Sequence, residues 1–219
     1  MKFVIFDNDG TLANTKKVDG KCFMSAFEQT FGLQIWNQKW EDFKHVTDWG
    51  ITEEIIQREW GRKPLSKEYE QMISHFMTNL KKEIKENRNQ FDEVPGAKKN
   101  FNELKKVKTL SVGIATGSWE KPALLKLKAV GIDMDGVCFS NSNFHKSRDV
   151  IVQNVINLMT LKTSEKPEKI IYVGDGEWDF KTCQNLGIEF IGIDAEGDGV
   201  LRNLGAKNVF RDFLKKINF

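Results

Sequence analysis

At 219 residues, with 33 Lys plus Arg against 31 Asp plus Glu, the chain carries a formal net charge of only +2. That balance excludes a general electrostatic pull towards nucleic acid or a membrane surface, so any basic site must be local. With 40% hydrophobic and 29% charged residues, the chain fits one folded α/β domain, or a core with a smaller insert, and not a disordered polymer.

Phe3-Val4-Ile5-Phe6 is a short, continuous apolar run, as expected of a strand buried on both faces of a parallel sheet. It is too short for a signal peptide and meets a carboxylate at Asp7. From about residue 14 the periodicity becomes helical and stays so to about 92. Helices are expected over Val18–Phe31, Trp40–Val46, Ile51–Trp60 and Ser66–Lys85, with Thr47-Asp48-Trp49-Gly50 as a polar loop between two of them. After Val94-Pro95-Gly96, apolar runs alternate with helical patterns. The runs are Leu110–Ala115, Ile170–Val173 and Phe190–Ile193, with weaker ones at Val137–Phe139 and Asn208–Phe210. The helical patterns are Pro122–Val130 and Val150–Leu161. This order implies a Rossmann-like, doubly wound parallel sheet. The expected organisation is a core of residues 1–13 and 93–219, with an inserted all-helical cap over 14–92. No run reaches the length of a membrane span. Cys22, Cys138 and Cys183, an odd number without metal-like spacing, read as reduced thiols of a cytoplasmic protein.

In open parallel sheets, ligands bind beyond the carboxyl ends of the strands. The first strand is followed by Asp7-Asn8-Asp9-Gly10-Thr11-Leu12 and the second by Thr116-Gly117-Ser118. His145-Lys146-Ser147-Arg148 lies near the third, and Gly174-Asp175-Gly176-Glu177-Trp178-Asp179 follows the fourth. Asp7 and Asp9 can aim at one point where Gly10 permits a tight turn. Two close carboxylates need a cation between them or a proton on one of them. Either solution suits phosphoryl transfer, through charge neutralisation or through proton donation to the leaving oxygen. Asp175 adds a hard oxygen donor of the kind magnesium favours. Thr116, Gly117 and Ser118 offer a hydroxyl and backbone N–H groups just before a helix, an anion nest. A nearby lysine supplies a point charge. Each piece alone is ordinary: Asp-x-Asp-Gly is usually a turn, Thr-Gly-Ser a loop, and a lone lysine a solvated one. Their order behind successive strands gives them weight.

Those four segments resemble the ordered motifs of haloacid dehalogenase superfamily hydrolases, and an insert directly after the first motif resembles the helical-cap class. The resemblance implies a magnesium-dependent phosphatase acting on a small phosphorylated metabolite. Asp7 would be nucleophile and metal ligand. Asp9 would be general acid/base and bind the metal through its backbone carbonyl. Thr116 and Gly117, with Ser118 and Gly10 beside them, would hold phosphate, Asp175 would hold the metal and Asp179 would support it. Where many relatives carry Lys-Pro in the third motif, this chain has Lys146-Ser147-Arg148; the point charge of Lys146 fits the crowded carboxylates, and Arg148 is the alternative.

The acid at Asp9 points to phosphate esters, because a leaving alkoxide needs a proton and a halide does not. A phosphomutase would use the same two aspartates, and a non-catalytic phosphate-binding regulatory protein would lack one of the key carboxylates. Leaving-group contacts are expected from the cap, at Asp48 and Trp49. Trp49, Trp119 and Trp178 are either helix-end packing or an aromatic rim. The sequence leaves monomer and dimer equally open.

Overall fold

The computed structural model describes residues 1–219. Six parallel strands form one sheet in the order β3-β2-β1-β4-β5-β6. They are β1 (Lys2–Phe6), β2 (Leu110–Ala115), β3 (Cys138–Ser140), β4 (Lys169–Gly174), β5 (Glu189–Ile193) and β6 (Val209–Phe210). The strand order reverses at β1, which pairs with β2 on one side and β4 on the other. Asp7 therefore emerges at the switch point, where the flanking loops diverge and leave a crevice.

The alternation of a strand sorts β1 between two apolar layers. Val4 and Phe6 join Val112, Ile114, Ile171 and Val173, covered by helices α4 (Ala97–Leu104) and α5 (Glu120–Val130) and by Phe213. Phe3 and Ile5 face the opposite layer, packed on α6 (Arg148–Thr163), α7 (Glu177–Leu186) and the short α8 (Val200–Asn203). Both faces are covered, which is why these strands read as unbroken apolar runs. The Rossmann-like core expected from the sequence is present.

Between β1 and β2 the chain forms the expected helical cap region: α1 (Lys16–Phe31), α2 (Asp48–Trp60) and α3 (Ser66–Glu86). Val18, Phe23, Phe27 and Phe31 of α1 pack against Ile55 of α2 and Phe76 and Leu80 of α3. The helix expected over Trp40–Val46 is only a 3₁₀ turn, Trp40–Asp42. Its backbone donors go elsewhere, Lys44 N to Glu54 Oε2 and Thr47 N to His45 O, so no α-helical ladder forms. The expected loop Thr47–Gly50 is instead the start of α2. Thr47 caps it, its hydroxyl accepting from Gly50 N at 3.0 Å. The cap leaves and rejoins the core side by side, with Asn14 N donating to Asp92 O at 2.9 Å. No helix is long and apolar enough to cross a membrane. The three cysteines are free.

Candidate active site

Asp7 is the first residue past β1. It is 3% exposed, and its backbone N–H donates to Val173 O at 2.9 Å. Carboxylate oxygens of Asp7, Asp175 and Asp179 lie within 4.8 Å of one another. Asp7 Oδ1 is buried without a hydrogen bond, 3.4 Å from Arg148 Nη1. Burial pushes the Asp7 carboxyl well above its usual range, against the pull of Arg148 and with Asp179, Asp175 and Asp9 adding to the rise. Burial also pushes Asp175 up to about 6, although Lys16 Nζ sits 2.8 Å from its Oδ2. An orphaned buried oxygen among three converging hard donors fits a divalent cation, and the cluster can hold one.

Gly10 makes the convergence possible. Its φ is +83°, and a Cβ there would stand 2.1 Å from Asp175 Oδ2, so only glycine lets the first loop approach the fourth. Gly10 thus admits Asp175 and does not line the cavity beside Asp7. Gly117 is similar: a Cβ would fall 2.7 Å from Arg148 Nη2 and 2.9 Å from Val46 O. Thr116 and Ser118 are buried beside it, with Ser118 N donating to Thr116 Oγ1 at 3.2 Å.

The third motif differs from expectation. Lys146 is 44% exposed and reaches outward to Glu53 of the cap, Nζ to Oε1 at 2.7 Å. The structure does not bring it to the carboxylates. Arg148 occupies that place, donating to Asp179 Oδ1 at 2.8 Å and to Val46 O at 3.1 Å. A planar fork can serve several acceptors at fixed angles, and at the first residue of α6 it meets Asp7, Asp179 and the Val46 carbonyl together.

Asp9 is held by a group that sequence reading missed. Lys126 of α5 is completely buried. Its Nζ lies 2.6 Å from Asp9 Oδ2 and 3.0 Å from Ser118 Oγ, and it also pairs with Asp19 of α1. Thr15 Oγ1 donates to the other Asp9 oxygen at 2.6 Å. Burial works against the Lys126 charge, but Asp19, Asp9 and Asp48 outweigh it and raise its pKa. The available signal was its register, since Lys126 shares one face of α5 with Ala123, Leu127 and Val130.

A cavity of about 100 Å³ opens between core and cap, lined by Asp7, Asp9, Thr116, Gly117, Ser118 and Arg148 on the core side. Asp19, Phe23, Trp40, Asp48 and Ile51 line the cap side. Asp48 is among the residues that line the cavity. Trp49 is not: the first turn of α2 points it at Tyr69, ring centroids 5.0 Å apart, and at Glu53. Trp119 is buried in the cap's apolar cluster, whereas Trp178 lines the cavity between Lys16 and Arg148.

A parallel sheet with a helical cap over a carboxylate cluster fit for a divalent cation defines a capped α/β hydrolase. The sequence profile described as haloacid dehalogenase-like hydrolase matches residues 4–193, and the chain belongs to that family. A comparison with curated proteins found no match. Among solved structures, a hydrolase from Pseudomonas syringae is 19% identical over 97% of this chain and 94% of its own, with a TM-score of 0.72. A β-phosphoglucomutase from Clostridium difficile is 20% identical over 98% and 93%, TM-score 0.67. A predicted phosphoglycolate phosphatase from Haemophilus somnus is 17% identical over 97% and 95%, TM-score 0.63. At these identities the likeness is one of fold.

Proposed function

We propose that the chain is a magnesium-dependent phosphatase of small phosphate monoesters, working through an aspartyl-phosphate on Asp7. The observation that carries this reading is the buried Asp7 Oδ1, which accepts no hydrogen bond, at the sheet's switch point and facing a cavity with Asp9 on the same wall. Asp7, Asp175 and Asp179, with the Asp9 backbone carbonyl, would hold magnesium, which supplies neutralisation of phosphate charge when bound. Thr116 Oγ1 and the N–H of Gly117, with Ser118 beside them, orient the phosphoryl oxygens, and Arg148 adds positive charge beside Asp7.

An Asp7 oxygen attacks phosphorus, and the bond to the ester oxygen breaks. The Asp9 carboxyl delivers its proton to that oxygen, so the alcohol leaves neutral. Asp9 then takes a proton from water, whose oxygen attacks the phosphorus of the acyl phosphate. Phosphate leaves and the Asp7 carboxylate is restored. Residues 14–92 act as the cap that shelters these steps and contacts the leaving group.

Hydrolysis of p-nitrophenyl phosphate with magnesium, by wild type and Asp7→Asn, tests the reading. Wild type should turn over, and the variant should fold with the same circular dichroism but release no phosphate. A folded Asp7→Asn protein with normal activity would falsify the assignment.

A further inference from the structure

The proposed phosphatase site has an acidic leaving-group side, of the same sign as an acidic substrate and opposite to that of a cationic one. Asp19 and Asp48 line the cap wall of the cavity, with Phe23 and Trp40 between cap elements beside them. Asp48 is 8% exposed; one of its oxygens accepts from Trp119 N at 2.8 Å, and Oδ1 receives no donor from the chain. Asp19 pairs with Lys126 through Oδ1, and its Oδ2 likewise has no donor. Lys126, bonded to Asp9, Asp19 and Ser118, does not line the cavity. The two cations that do line it are engaged elsewhere, Lys16 with Asp175 and Arg148 with Asp179.

Each of these carboxyls keeps an oxygen without a donor, and burial disfavours the ionised form of both until a cation faces them. Phe23 and Trp40 line the same cavity, and an aromatic ring accommodates a cation beside it better than an anion. We infer that the leaving alcohol carries an ammonium group, so that the substrate class is small amino-alcohol phosphate esters, with the ammonium seated between Asp19 and Asp48. Esters bearing a carboxylate or a second phosphate on the alcohol are discriminated against. The inference rests on the phosphatase reading and deepens it.

Three esters of one short skeleton separate the alternatives: 2-aminoethyl phosphate, ethyl phosphate and phosphoglycolate, assayed with p-nitrophenyl phosphate as a generic reference. The aminoethyl ester should exceed ethyl phosphate in kcat/KM by roughly tenfold or more, as expected for a charged hydrogen bond, and phosphoglycolate should fall below both. In Asp48→Asn, whose amide oxygen can still accept from Trp119 N, the aminoethyl preference should shrink towards unity. Equal rates for all three esters, or a preference for phosphoglycolate, overturns the substrate class while p-nitrophenyl phosphate hydrolysis keeps the phosphatase standing. No turnover of any ester, the reference included, overturns both.

Discussion

The ammonium of Lys126 lies 2.6 Å from Asp9 Oδ2, wholly buried, and ties a core carboxylate to Asp19 of the cap. Removing that cation strands carboxylates in a buried setting. Lys126→Met should therefore destabilise the fold by about 3–5 kcal/mol, the usual cost of breaking a buried ion pair from one side. Asp19→Asn in the same chain should return part of the loss, because the two groups share one network. Urea titration of both single variants and the double variant checks this; additive losses would place the two groups in separate environments.

Arg148 and Lys146 should differ sharply. Arg148→Ala removes the charge beside Asp7 and leaves Asp179 without its donor, and should lower kcat on the order of 10²–10³-fold. Lys146→Ala loses an exposed contact with Glu53, so stability should shift by no more than about 0.5 kcal/mol and phosphatase activity should persist. Steady-state kinetics on the two variants decides between the cations. Comparable losses would return Lys146 to the site.

The metal-free chain should show a pH signature from Asp175. Burial pushes this carboxyl up to about 6, with Lys16 pulling the other way. The unfolded chain releases the proton near pH 4. Between about pH 4 and about pH 6 the folded state thus holds a proton that the unfolded state has lost, and this contribution to stability falls as pH rises. Melting in chelator should show the decline for wild type and a flatter profile for Asp175→Asn. Added magnesium requires the ionised carboxylate, so its stabilisation should grow with pH in wild type and largely vanish in the variant.

Asp48 and Trp49 are neighbours in sequence with different expected phenotypes. Asp48→Asn should redistribute kcat/KM among esters, since Asp48 lines the cavity. Trp49→Ala removes packing on Tyr69 and should lower the melting temperature while changing all esters alike. A substrate-dependent effect of Trp49→Ala would put its ring at the leaving group after all.

Much of this arrangement was legible because strands buried on both faces leave unbroken apolar runs, and the residues following them had to meet at one sheet edge. Asp7, Thr116 and Asp175 were located that way. Trp40–Val46 misled because aromatic spacing suits a helix as well as a turn whose rings pack on Phe23, at 6.0 Å from Trp40. Charge shape alone favours Lys146 over Arg148, and nothing local to that loop reveals which side chain turns inward. Lys126 was hidden by a general expectation that lysine is solvated, although its register on α5 pointed inwards. Asp19 had no signal, because its role depends on where α1 docks.

Trp119 follows directly after the loop Thr116–Ser118, yet its ring is buried in the cap's apolar cluster. Its N–H is held by Asp48 of the cap, and the N–H of Asp48 is held in turn by Gly117 O at 2.8 Å. Neither amide proton can reach solvent while these partners stay in place. Isotope exchange at Asp48 and Trp119 therefore clocks the parting of cap and core, with no substrate needed. Two amides in the same spectrum would report one event if the cap lifts as a unit, and two rates if the tryptophan stays behind.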